Sequence, residues 1–193
     1  MNPISRLPQI VFYSVLCCCT MSCSQHQSDR TALTTVSGVD LERYSGRWYE
    51  MARLPNFFQK ANEGAIAEYQ LQSDGLVGVR NVALRPDGST REIRGSAEAV
   101  NPPDNSKLKV RFHTWFGWLI PTPREGNYWI LHLDPDYQEA IVGTPNRKFL
   151  WVLTRASQIS EGKYQELLSK ASALGFATGE VIKSPRPNDG QLR

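Results

Sequence analysis

Cysteine is almost absent from this chain. The only thiols are Cys17, Cys18, Cys19 and Cys23, all near the N-terminus. Beyond Cys23 no disulfide, cysteine nucleophile or cysteine-ligated zinc can form. A strong charge of one sign is also lacking. The formal net charge is +3 and no Lys/Arg block stands out, which argues against nucleic-acid binding through a basic stripe. No Gly-x-Ser-x-Gly elbow and no metal-spaced His/Asp set occurs. A lipid hydrolase or isomerase therefore lacks its usual apparatus. No catalytic residue, metal ligand or cofactor is assigned.

What is present favours one β-rich domain. Hydrophobic residues make up 40% of the 193, enough for a substantial core. Aromatic residues are 10% of the chain, and most fall between Tyr44 and Trp151, which favours strands.

Residues 1–22 read as a secretory signal. Arg6 gives a thin basic start, and the apolar run Ile10 to Met21 is short for a membrane span. Thr20-Met21-Ser22-Cys23 then precedes a polar tract. This stretch resembles a bacterial lipoprotein signal with Cys23 as the lipidated first residue of the mature chain. Thr20 stands where leucine is usual, so Cys19, three residues after Leu16, competes as the modified residue. An uncleaved anchor and cleavage without lipid are the other readings. The residue after Cys23 is Ser24, not the aspartate associated with inner-membrane retention in enteric bacteria, so outer-membrane attachment is expected. Residues 23–38 read as a flexible tether.

From Val39 the chain divides at turn signals. The strands expected are 46–54, 65–72, 76–85, 90–100, 107–114, 128–134, 138–143 and 149–155, with Ser73-Asp74-Gly75 and Pro86-Asp87-Gly88 as tight turns. Ser160 suits a helix N-cap. Tyr164, Leu167, Leu168, Ala171 and Leu174 then share one helical face, and Gly175 suits its end. Residues 184–193 read as a loose tail.

Eight antiparallel strands with short turns can close into an up-and-down barrel with room for one small ligand, the helix lying on its wall. A two-sheet sandwich is the alternative. Connections of a meander alternate between its ends, so Trp48, Asp134 and Arg155 fall at one end. Closure makes the first and last strands neighbours, and Arg155 can then stack over Trp48. That end should be closed and the other should be the mouth.

Gly46-x-Trp48-Tyr49-Glu50, Leu133-Asp134-Pro135-Asp136-Tyr137 and Leu150-Trp151-Val152-Leu153-Thr154-Arg155 resemble the three conserved regions of lipocalins. Val39 to Tyr44, Ala52-Arg53-Leu54-Pro55 and Phe58 sharpen the likeness to the bacterial outer-membrane lipoprotein lipocalins, kin of apolipoprotein D and the plant temperature-induced lipocalins. The resemblance covers residues 39–183 and implies a lipocalin barrel holding fatty acids or lysophospholipids in a hydrophobic calyx, in an anchored, periplasm-facing carrier. It assigns Gly46, Trp48, Asp134 and Arg155 to the structural motif. A homodimer is compatible with such folds, but nothing in the sequence requires one. Trp115–Ile120 belongs to a connection longer than usual for this family.

Alternation along the strands points the same way. Val110 and Phe112 make an apolar face opposite Lys109, Arg111 and His113. The wall residues expected are Ala52, Leu54, Tyr69, Val110, Phe112, Tyr128, Ile130 and Trp151, although some could face the helix instead. Glu50 shares the Trp48 face. Pointing inward, it would either orient a ligand head or bond a neighbouring tyrosine, with a raised pKa. His113 and His132 keep haem or a related tetrapyrrole open as a rival ligand. Asn56 to Lys60 and Trp115–Ile120 should lie at the mouth, as a ligand lid or membrane contact or as loops folded on their own barrel.

Overall fold

The computed structural model describes residues 32–114 and 122–187. The signal segment with Cys19 and Cys23, the Trp115–Ile120 stretch and residues 188–193 lie outside the described residues.

Asp40 opens the domain by capping a single helical turn, α1 (Leu41–Tyr44), its carboxylate accepting from the N–H groups of Glu42 and Arg43. The strands are β1 (Gly46–Arg53), β2 (Gly64–Leu71), β3 (Val77–Leu84), β4 (Thr90–Ala99), β5 (Lys107–Phe112), β6 (Tyr128–Leu133), β7 (Glu139–Gly143) and β8 (Leu150–Thr154). Each pairs antiparallel with the next, and β1 pairs with both β2 and β8, which closes the barrel. The sandwich alternative is thereby excluded. Strand ends differ from the sequence-based ranges by no more than two residues.

The helix α2 (Glu161–Ala173) starts at Ser160, whose hydroxyl accepts from the Lys163 N–H. Its buried Tyr164, Leu167 and Ala171 pack with Trp129, Leu131, Ile141, Leu150 and Val152 on the outside of the barrel. The inside holds a second cluster, among it Trp48, Tyr69, Val79, Leu108, Ile130, Val142 and Leu153. Period-two alternation along β7, β8 and β6 up to its bulge between Ile130 and His132 thus divides one sheet between two cores.

One strand escaped the sequence reading. After α2, β9 (Ile182–Lys183) pairs with the end of β1. The segment expected to be loose is held at its first residue, where the Ser184 N–H donates to the Met51 carbonyl at 3.0 Å. Pro185 passes so close to β2 that a Cβ on Gly64 would lie 2.8 Å from its carbonyl oxygen. Side chains are excluded there, which is why glycine stands at the start of β2. A two-residue strand is too short to leave a period in the sequence.

Candidate functional site

Backbone geometry at the closed end begins with Gly46. Its φ of +98° is one that L side chains rarely adopt, and an added Cβ would sit 3.2 Å from Arg155 Nη1. The glycine therefore lets the guanidinium settle on the strand entrance. Arg155 lies 3.9 Å above the Trp48 ring. It donates to the carbonyls of Arg47 at 2.8 Å, Arg43 at 2.9 Å and Ser45 at 2.8 Å. Trp48 is fully buried and gives its indole N–H to the Tyr44 carbonyl at 2.9 Å. Asp134 ends β6 by accepting from the N–H of Gln138 at 2.6 Å and of Glu139 at 2.5 Å. It shapes the turn into β7, which carries Tyr137. The Tyr137 ring lies under Arg43 at 4.1 Å, and its hydroxyl accepts from the Asp40 N–H. The four motif residues hold one end of the barrel shut.

Above this floor three hydroxyls form a chain. Tyr128 bonds Tyr44 at 2.8 Å and Tyr69 at 2.9 Å. Burial pushes the Tyr69 phenol up to about 12, and Tyr44 and Tyr128 well above their usual value. All three stay neutral near pH 7, and the hydroxyl chain satisfies polar atoms that would be costly alone in an apolar interior.

Of the wall residues expected from sequence, Tyr69, Val110, Phe112, Tyr128, Ile130 and Trp151 all belong to the inner cluster. Ile130 is sealed, whereas Val110, Phe112, Tyr128 and Trp151 keep part of their surface exposed although they face inward. Inward-facing apolar surface that other side chains leave uncovered is what a ligand would cover.

Ala52 and Leu54 do not belong to that wall. A β-bulge between Glu50 and Ala52 inserts one residue against β8, so the facing of β1 flips after Glu50. Ala52 and Leu54 pack outside, in the helix cluster. Arg53 pairs with Trp151 instead and is fully buried.

The bulge brings a buried ion pair together. Arg53 Nη1 lies 2.8 Å from Glu50 Oε1, with side-chain exposures of 0% and 3%. Arg53 also donates to the carbonyls of Glu63 and Lys60. Glu50 accepts from Ser184 Oγ at 2.5 Å and Gln59 Nε2 at 3.2 Å. Burial raises the Glu50 pKa, and the Arg53 charge with these hydrogen bonds only partly offsets the rise. Glu50 bonds neither a tyrosine nor open space. Its partners tie the β1–β2 connection and the C-terminal segment to β1.

His113 and His132 do not face the barrel interior. His132 lies on the helix side, 3.3 Å from Lys170 Nζ, and His113 is exposed, 3.4 Å from Ser96 Oγ. The haem alternative loses both of its candidate ligands. Among the described residues no group of three or more His, Cys, Asp or Glu side chains could hold a metal.

The mouth carries aromatics that sequence reasoning connected only in part. Phe57 is 91% exposed and Phe58 46% exposed. Phe58 stands 5.7 Å from the Phe149 ring and 6.4 Å from the Trp151 ring. Phe149 opens the strand expected over 149–155 and shares the Trp151 face there, so the same alternation that named Trp151 also points to it. These rings join the exposed rim to the inner wall.

Comparison with known proteins gives one family. The family model described as a lipocalin-like domain matches residues 39–186. Temperature-induced lipocalin-1 of Arabidopsis thaliana is 38% identical, over 82% of this chain and 86% of that protein. The outer membrane lipoprotein Blc of Escherichia coli is 34% identical, over 94% of this chain and 98% of that protein. Insecticyanin of the tobacco hornworm, Manduca sexta, shares the fold with a TM-score of 0.57 at 17% identity, over 83% of this chain and 87% of that chain.

Proposed function

Because this chain belongs to the lipocalin family, we propose that it is a carrier for amphipathic lipids, fatty acids or lysophospholipids, whose tails occupy the barrel. The observation that carries this reading is the set Val110, Phe112, Tyr128 and Trp151, which faces inward above a sealed floor yet stays partly exposed. An alkyl tail laid against such a wall gains about 0.8 kcal/mol per buried CH₂, so affinity needs few polar contacts. Binding and release, without chemistry on the lipid, is the activity.

The carrier is anchored to the outer membrane through a lipidated Cys23 and faces the periplasm. The lipoprotein-like signal supports this, as does a relative named as an outer membrane lipoprotein that matches 94% of the chain. Several acyl chains on one cysteine anchor far more firmly than a single one.

One experiment addresses both parts. Protein extracted from membranes is measured by intact mass under denaturing and then native conditions. The denatured mass should correspond to a chain beginning at Cys23 and carrying acyl groups. The native spectrum should show an added lipid that denaturation removes. An unacylated chain would remove the anchor, and a native mass equal to the denatured one after incubation with palmitate would remove the carrier.

A further inference from the structure

Beside the mouth, the β1–β2 connection and the β3–β4 hairpin border a cleft of about 650 Å³. Lys60, Arg85 and Arg91 line it against the single carboxylate of Glu63. That carboxylate is already engaged, accepting from the Lys60 N–H at 3.1 Å and lying 3.8 Å from Arg85 Nε. Arg91 reaches across the cleft and donates Nη2 to the Phe58 carbonyl at 3.2 Å, leaving its other N–H groups available. Asn56 Oδ1 accepts from the N–H groups of Phe58 and Gln59, which holds the turn that presents Phe58 and Lys60 to the cleft.

We propose that this cleft is a subsite for the phosphate of an anionic lipid head group, with the acyl chain running past Phe58 and Trp151 into the barrel. The inference rests on the lipid-carrier reading and adds the head-group chemistry to it. A phosphate offers several acceptor oxygens, which suits a guanidinium fork and an ammonium lining one cleft. Phe57 and Phe58 supply apolar cover where the first methylenes leave the cleft. The head thus stays at the rim, where its desolvation is small, and the tail takes the dry interior.

The test uses the purified mature protein and displacement of a neutral fluorescent alkyl probe. Lysophosphatidylglycerol and a monoacylglycerol of the same chain length are compared on wild type, Lys60→Gln and the double variant Lys60→Gln/Arg91→Gln. Losing charge-assisted hydrogen bonds should weaken lysophosphatidylglycerol binding by about tenfold or more in the double variant and by less in the single one. In Lys60→Gln monoacylglycerol affinity and thermal unfolding should stay unchanged, and in the double variant monoacylglycerol affinity should fall far less than lysophosphatidylglycerol affinity. If both lipids weaken equally, or neither does, the subsite is wrong and the carrier reading stands. If wild type binds neither lipid, both readings fall. Glycerol phosphate, titrated alone by calorimetry, should bind far more weakly than the lysolipid. Equal affinity would make this a site for a water-soluble phosphate ester and overturn the lipid assignment.

Discussion

Removing Arg53 is expected to destabilise the protein by about 3–5 kcal/mol at pH 7, because it leaves the Glu50 carboxylate buried without its partner charge. Urea unfolding of Arg53→Met measures this directly. Burial holds the folded pKa of Glu50 above its ordinary value of 4.5 despite the neighbouring guanidinium. A carboxyl whose folded pKa is raised contributes most below the unfolded pKa, and that contribution is lost as pH rises through the folded value. The penalty of Arg53→Met should therefore shrink as pH falls below 7, because the raised pKa lets Glu50 take up its proton before an ordinary carboxyl would. Glu50→Gln/Arg53→Met, with no buried charge left, should regain much of the loss at pH 7. A penalty independent of pH, or a double variant as unstable as the single one, would show that Arg53 acts through packing alone. The pair ties β1 to the adjoining connection, through Gln59 and the Lys60 and Glu63 carbonyls, and to the distant Ser184.

Trp48→Ala should cost about 3–5 kcal/mol, as expected for deleting a fully buried large aromatic. For a domain of this size that corresponds to a fall in Tm of roughly 2–4 °C per kcal/mol. The loss has separable parts. The indole fills the floor and packs against the tilted ring of Tyr44, centroids 5.0 Å apart, while its face receives Arg155, a contact worth about 0.5–2 kcal/mol. Arg155→Lys should be destabilising as well, since an ammonium cannot serve the carbonyls of Arg43, Ser45 and Arg47 with one planar fork. Affinity for a fatty acid, measured at a temperature where the variants remain folded, should change much less than Tm. A variant with unchanged Tm and abolished binding would transfer Trp48 from the floor to the ligand site.

The barrel and its closed end were legible in the sequence because they depend on local and countable features. Turn residues bound each strand, alternation is clean where one face is apolar, and meander geometry alone brings Trp48 and Arg155 to one end. The wall was legible only where alternation runs unbroken. Val110, Phe112, Tyr128, Ile130 and Trp151 obey it. Ala52 and Leu54 do not, since Met51 is an extra residue in β1, and no residue type announces a bulge there. Reading through it assigned two helix-facing residues to the ligand and overlooked Arg53. Non-local contacts were equally hidden. Nothing near Glu50 in sequence suggests Ser184, and nothing near Phe58 suggests Arg91.

The central claim is that β5 divides at single-residue resolution into a face toward a lipid and a face toward water. Titration of a fluorescent fatty acid into Val110→Trp and Lys109→Trp tests it most directly. Filling the inner face at position 110 should weaken binding at least tenfold, and the same indole at position 109 should leave it unchanged. Equal affinities for the two variants, or weaker binding only at 109, would contradict the account.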